Sequence, residues 1–138
     1  TVFATATTAL YADLAECYLA DTEYLPGTVL SFGGTNEVTI SNVDADPLIA
    51  GVVSTNPAYR MNSGLAGDYV VTLALTGRVP CQVVGVIQKG DRLVSSNIPG
   101  VATTLDLSQY QPGCIIGKSL ENYNSDTVGT IEVAVGRI

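Results

Sequence analysis

Tight-turn residues punctuate this chain at short intervals, and they leave room for little besides short strands. Pro26-Gly27, Gly33-Gly34, Thr76-Gly77, Lys89-Gly90-Asp91, Pro99-Gly100 and Pro112-Gly113 each offer a pre-bent or left-handed turn position. Between them run brief segments rich in Val, Thr and Ile, the residues that fit a pleated surface. Thr28 to Phe32 and Glu37 to Ile40 flank Gly33-Gly34 as hairpin partners. Asp44 to Pro47 reads as a loop, and Leu48 to Ser54 as a buried strand. Asn56-Pro57 ends that strand, and Met61 to Asp68 is a Gly/Asn/Ser loop. Tyr69 to Leu75 is the strongest strand signal, and Thr76-Gly77 predicts a turn into Arg78 to Val84. Pro80 cannot donate to a ladder, so it predicts an edge or a bulge. Arg92 to Ser95 and Gly129 to Val135 complete the set.

The expected fold is therefore mainly β: a compact sandwich or partly open barrel of short strands, with at most one short N-terminal helix. The helix question concerns Leu10 to Ala20. Leu10, Leu14 and Tyr18 are spaced like one helical face, yet Tyr18 and Ala20 begin an alternation. A short helix and an extended arm both satisfy that pattern. Residues 1–9, small and Thr/Ala-rich, predict a flexible lead or linker, and residues 10–138 a single β domain. Three stretches share a turn-Gly-x-x-aliphatic shape: Pro26 to Leu30, Lys89 to Leu93 and Pro112 to Ile116. We read them as recurring turn chemistry, not repeats.

Charge narrows the partners. Net charge is −7 with six basic residues, none clustered, so nucleic acid and anionic membrane surfaces are expected to be repelled. No apolar run approaches the roughly 20 residues that span a bilayer. Thr1 to Ala9 lacks the positive start of a signal peptide, and Thr1 without a preceding Met reads as a cleavage point or the edge of a longer chain. With 46% hydrophobic and only 14% charged residues, the surface is of the kind that copies of a chain cover for one another.

The usual chemistries find no support. There is no His, so Ser-His and Cys-His arrangements are excluded, and zinc and haem sites of the usual kinds go with them. No Walker loop or GxGxxG motif occurs. Cys17, Cys81 and Cys114 are odd in number and far apart, which predicts free thiols in a reducing compartment. No cofactor and no metal are expected. Arg78 in Arg78-Val79-Pro80 and the isolated Lys89, Arg92 and Lys118 read as turn and edge charges, and Asp91 as a turn cap. One constellation stands out: Asp13 with Glu16, beside Tyr11 and Tyr18. Close carboxylates can split their pKa values into an acid and a base, and a helix would place such an i,i+3 pair on one face. A solvated polar stripe is the plainer reading of the same pair.

Several short motifs follow one another in order along the chain. They are Tyr11-Ala12-Asp13-Leu14-Ala15-Glu16, Pro26-Gly27-Thr28-Val29-Leu30, and Ala50-Gly51-Val52-Val53-Ser54-Thr55-Asn56-Pro57-Ala58. Then come Leu75-Thr76-Gly77-Arg78-Val79-Pro80, Lys89-Gly90-Asp91, Pro99-Gly100-Val101-Ala102 and Gly117-Lys118-Ser119-Leu120. This string, from about Leu10 to Ile138, resembles the C-terminal domains of bacteriophage tail-fibre and neck-appendage proteins. The resemblance implies a virion structural domain, made in the bacterial cytoplasm, that forms a homotrimer and helps an upstream fibre segment of the same chain fold in register. Some such domains are self-cleaving intramolecular chaperones, and in that scheme the carboxylates of this stretch, here Asp13 and Glu16, lie near the cleavage point, which makes them the candidates for acid and base. The chain departs from it upstream, where Thr7-Thr8-Ala9 stands in place of a Ser-Asp scissile step. The alternative implied role is a retained fibre-tip or capsid-decoration module that touches a host-surface glycan or protein. Its contacts would come from the tyrosines and the loop Asn62 to Gly67.

Overall fold

The computed structural model of the chain describes residues 13–55 and 57–138. The expected lead at residues 1–9 lies outside the described residues, as does Tyr11. Ten strands follow in chain order: β1 (Asp13–Leu19), β2 (Val29–Phe32), β3 (Val38–Ile40), β4 (Ile49–Val53), β5 (Tyr59–Met61), β6 (Val70–Ile87), β7 (Arg92–Ser95), β8 (Ala102–Thr104), β9 (Gly117–Ser119) and β10 (Tyr123–Val135). Among the described residues the only helical element is one 3-10 turn, Leu107–Gln109, capped by Asp106, whose side chain accepts from the Ser108 N–H. The mainly β expectation holds, and the Leu10 to Ala20 ambiguity resolves, from Asp13 onward, as a strand.

Strand β6 organises the molecule. It is 18 residues long, and its two ends pair with different strands of one ten-stranded sheet, which parts there into a barrel and a second sheet region. The C-terminal half pairs antiparallel with β10, from Gly77↔Val135 to Tyr123↔Ile87. Together β10-β9-β7-β8-β6 and the β6–β10 ladder close a five-stranded barrel. The N-terminal half pairs with β1 on Val70 to Gly77 and with β4 at Leu73 and Ala74. From there the order runs through β4 to β2 and β3, with β5 parallel to β1. This second sheet curls back until Ala20, just past β1, meets Val38 of β3 in a single bridge.

The turn expected at Thr76-Gly77 is a correction. Gly77 does adopt a positive φ of 109°, as a turn glycine would, but it does so inside a continuous strand. Its role is a handover: Gly77 is registered with Asp13 of β1 and with Val135 of β10. A positive-φ glycine serves a strand irregularity as readily as a turn. A register shift lies beside it, where Leu14↔Thr76 gives way to Ala15↔Ala74.

Pro80 sits within this long strand without orphaning a donor. The Gln82 N–H, two residues on and pointing the same way, donates to the Gly27 carbonyl at 2.9 Å. That side of β6 faces the Pro26-Gly27 turn, and ladder pairing resumes only at Val83↔Ala102. Proline therefore occupies a stretch where no strand asks for its hydrogen.

Two cores explain a feature of the sequence that simple alternation does not. In β2, Val29 joins the barrel core and Leu30 the second core; in β4, Val52 and Val53 divide the same way. In β6, Ala74 faces the barrel and Leu73 the second core. Strands covered on both faces read as consecutive apolar residues. A third, smaller cluster of Ala45, Val94 and Cys114 lies beneath the loops. Cys17, Cys81 and Cys114 are all free and buried, and burial pushes the Cys81 thiol up to about 12.

Candidate functional site

Strand geometry decides where the two carboxylates singled out from the sequence go. Side chains alternate faces along a strand, so residues three apart point to opposite sides. In β1, Asp13, Ala15 and Cys17 are buried, while Leu14, Glu16 and Tyr18 are partly exposed. The cross-strand partners say the same: Ala15 lies opposite Ala74 of the barrel core, and Glu16 opposite Leu73 of the second core. Asp13 and Glu16 are thus not brought together within one chain.

Each has other neighbours. Glu16 accepts from the Tyr18 hydroxyl at 2.9 Å. Burial, that bond and the charges of Glu16 and Glu37 push the Tyr18 phenol up to about 12. Asp13 faces the junction of the two sheets. There the segment just after β4 supplies Ser54 and Thr55, β6 supplies Arg78, Val79 and Pro80, and β10 supplies Glu132. These residues line a small cavity of about 110 Å³.

The electrostatics of this junction are unusual for a surface that is otherwise weakly charged. Asp13 is only 5% exposed, and its Oδ2 has no hydrogen-bond partner in the protein. Glu132 Oε2 is likewise buried and unpartnered. Burial raises the Asp13 pKa, with Ser54 beside it pulling the other way. Burial also raises Glu132; the Arg78 guanidinium opposes this, and the charge of Glu121 reinforces it. Glu121 reaches the same strand by accepting the Glu132 N–H at 2.7 Å. Glu132 stands directly across from Pro80, and Arg78 lies two residues along β6 on the same face.

Sequence reading found Asp13 but not its neighbours. Glu132 is the polar member of Ile131-Glu132-Val133, an ordinary alternation, and Arg78 looked like a turn charge. The only available signal was weak: a carboxylate placed between two core residues of a closing strand.

Other surfaces are shallower. Glu23, Tyr24, Asp68 and Tyr69 line a cleft of about 510 Å³, but the Tyr24 hydroxyl is already engaged with Asp21 at 2.5 Å and with the Ile40 N–H at 3.2 Å. Asp91 caps its turn as expected, accepting the Gln88 N–H at 2.9 Å. Among the described residues no three His, Cys, Asp or Glu side chains cluster in the manner of a metal centre, and no helix is long and apolar enough to cross a membrane.

No protein-family model matches the chain, and no curated protein matches it. Among solved structures it is similar to the N base of the head fibre protein gp8.5 of bacteriophage phi29, at 13% identity and a TM-score of 0.45, over 90% of this chain and 96% of that one.

Proposed function

We propose that the chain is a phage virion structural domain at the end of a fibre or appendage, that it trimerises, and that it acts as an intramolecular folding chaperone. A fibre of identical strands has a registration problem, because a slip of one residue still pairs the backbone. A globular end that associates through a fixed interface sets the register first, and closed cyclic symmetry is the usual form of such an association. The ordered motifs from Leu10 to Ile138 support the fibre setting.

The observation that carries the reading is uncovered apolar surface at strands and at their ends. Tyr69 and Val70, adjacent in sequence where β6 begins, are 45% and 40% exposed. Phe32 and Leu48, joined by a backbone hydrogen bond of 2.8 Å, are 45% and 59% exposed. Such paired exposure suits burial against other copies better than isolated exposed residues do. Light scattering on a sizing column is the test: a trimer is expected, and a monomer that persists at high concentration overturns the reading.

Self-cleavage belongs to the same reading, with Asp13 and Glu16 as acid and base and the neighbouring chain completing the site. A longer chain carrying the upstream segment should be cut, and Asp13→Asn or Glu16→Gln made separately should stop the cut while leaving the trimer. A wild-type chain that stays whole would instead fit a retained tip, for which the cleft at Tyr69 and Asp68 offers a contact surface.

A further inference from the structure

We propose that copies of this chain join head to tail through charge: the Arg92–Lys118 end of a basic row on the outside of one barrel seats in the acidic cleft beside Tyr69 and Val70 of the next copy. The inference rests on the trimer reading above and names the two surfaces that form the contact.

The charge of the chain is lopsided. Eight of its thirteen acidic residues and one of its six basic residues precede Val70, so the whole net charge of −7 falls before that point and the remainder is neutral. The fold then gathers half of the basic residues into a line. Arg92 of β7 is registered with Lys118 of β9, Lys118 with Ala134 of β10, and Ala134 with Arg78 of β6. These positions form one row across four adjacent strands, about 14 Å from end to end at the usual strand spacing. Leu93, Val133, Val135 and Val79, their strand neighbours, belong to the barrel core, so alternation turns the row outward.

The row is incomplete within one chain. Arg92 and Lys118 stand directly opposite each other, and like charges so placed weaken a sheet. Glu132 answers the Arg78 end. Asp91, beside Arg92 in sequence, already accepts from the Gln88 N–H at 2.9 Å and the Thr104 hydroxyl at 3.1 Å. The chain's own acidic cleft lies at the Arg78 end too, since Ser54 and Thr55 line both it and the cavity beside Arg78. The Arg92–Lys118 end is therefore the one left for another copy.

The cleft has the complementary chemistry. Its volume is about 510 Å³, and Glu23, Asp68, Tyr69 and Val70 line it. Glu23 and Asp68 are exposed, and Asp21 reaches the same lining through its bond with the Tyr24 hydroxyl. Half-exposed Tyr69 and Val70 offer an apolar wall to the stem of a long cationic side chain while the carboxylates take its head. Row and cleft are different patches, so the contact is heterologous, and a heterologous contact that returns on itself makes a closed ring.

Light scattering on a sizing column at about 0.1 and 1 M sodium chloride is the test. At 1 M the screening length falls to about 3 Å, and the concentration at which the trimer half-dissociates should rise roughly tenfold or more. Arg92→Glu with Lys118→Glu keeps a like-charged pair in the sheet, so the circular dichroism spectrum should be unchanged, but acid then meets acid and the chain should be a monomer. Adding Glu23→Lys and Asp68→Lys to that variant should restore the trimer. Placing the two lysines at the exposed Asp44 and Asp126 instead should not, which separates pairing from net charge. A wild type that is monomeric at both salt concentrations overturns the trimer reading and this contact with it. A trimer that ignores salt, that survives Arg92→Glu with Lys118→Glu, or that returns equally with lysines at Asp44 and Asp126 overturns the contact alone. So does a four-residue variant, reversed in both row and cleft, that stays monomeric.

Discussion

The two halves of this molecule are built on one strand but closed in different ways. The C-terminal barrel is sealed along the length of β10, with ten registered pairs from Gly77↔Val135 to Tyr123↔Ile87 and one bulge between Ser125 and Gly129. The N-terminal sheet returns on itself through one bridge, Ala20↔Val38, steadied by Glu37. The Glu37 N–H donates to the Leu19 carbonyl at 3.0 Å, and its carboxylate accepts the Leu19 N–H at 2.8 Å. The cores follow the same contrast. The barrel core gathers residues from β2, β4, β6, β7, β8, β10 and the approach to β9, whereas the second core rests on six buried residues with four half-buried ones around them. A closed ladder has no edge to fray, so the barrel should open only with global unfolding. The N-terminal sheet should open more easily, hinged near Gly77.

The sharpest way to break the barrel is at Gly117. A Cβ there would collide with the Ala134 carbonyl, so β9 and β10 touch backbone to backbone. Gly117→Val must force the two strands apart, and a loss of about 4 kcal/mol is expected, visible as a large fall in the urea midpoint. Both halves should unfold together in this variant, because the second sheet has no support without the β6–β10 ladder. A near-normal midpoint would mean that the barrel tolerates separation and is not the stable half.

A cavity in the second core is the converse experiment. Leu73 is fully buried against Leu30, Val38 and Val53. Leu73→Ala should cost about 3 kcal/mol. Hydrogen exchange should then show lost protection at β1 and β3, while the β6–β10 amides keep theirs. Equal loss across both halves would show one cooperative unit and remove the distinction.

How far the sequence disclosed this arrangement depends on the range of the contact. Turn chemistry is local, so the Pro26-Gly27, Lys89-Gly90 and Pro99-Gly100 turns and the strands they bound were legible. β6 was not legible as one strand, because positive φ at Gly77 serves a turn and a strand irregularity equally. β1 was ambiguous because the spacing of Leu14 and Tyr18 fits a helix, and only pairing with β6 settles it. Barrel closure joins residues 77–87 to 123–135, and nothing in either segment names the other. The junction site failed to show for the same reason. Asp13 was noticed because a second carboxylate stood three residues away, yet the carboxylate that shares its cavity is 119 positions distant at Glu132.

The cysteines give a probe of each half without any mutation. Cys81 lies in the barrel core and Cys17 in β1, its Sγ 3.6 Å from the Thr72 hydroxyl. Both are buried, so alkylation must wait for opening. If the N-terminal sheet opens more easily by about 1.5 kcal/mol, Cys17 should be labelled roughly ten times faster than Cys81. Peptide mapping after timed alkylation reads the ratio directly. Equal rates would place both thiols behind the same barrier.

The smallest effect concerns the junction that joins the halves. Asp13 and Glu132 both have pKa values raised by burial in the folded state. A raised carboxyl binds its proton more tightly folded than unfolded, so its stabilising contribution is complete below the unfolded value, roughly 4. That contribution is lost as pH rises through the folded value, when the buried carboxylates must carry charge that Arg78 offsets only in part. Stability should therefore decline gently as pH rises above roughly 4. After solvent screening, the decline should be on the order of 1 kcal/mol or less. Asp13→Asn removes one of the two charges and should flatten the decline while raising stability slightly at neutral pH. Because Asp13 pairs with Gly77 at the handover, the gain should appear as slower Cys17 labelling, with the barrel amides unaffected. Denaturant midpoints across that range, read with the labelling rates, check it. A wild-type stability that climbs with pH through the same window would mean that the junction carboxylates are already compensated, and the two halves would then be tied more tightly than their ladders imply.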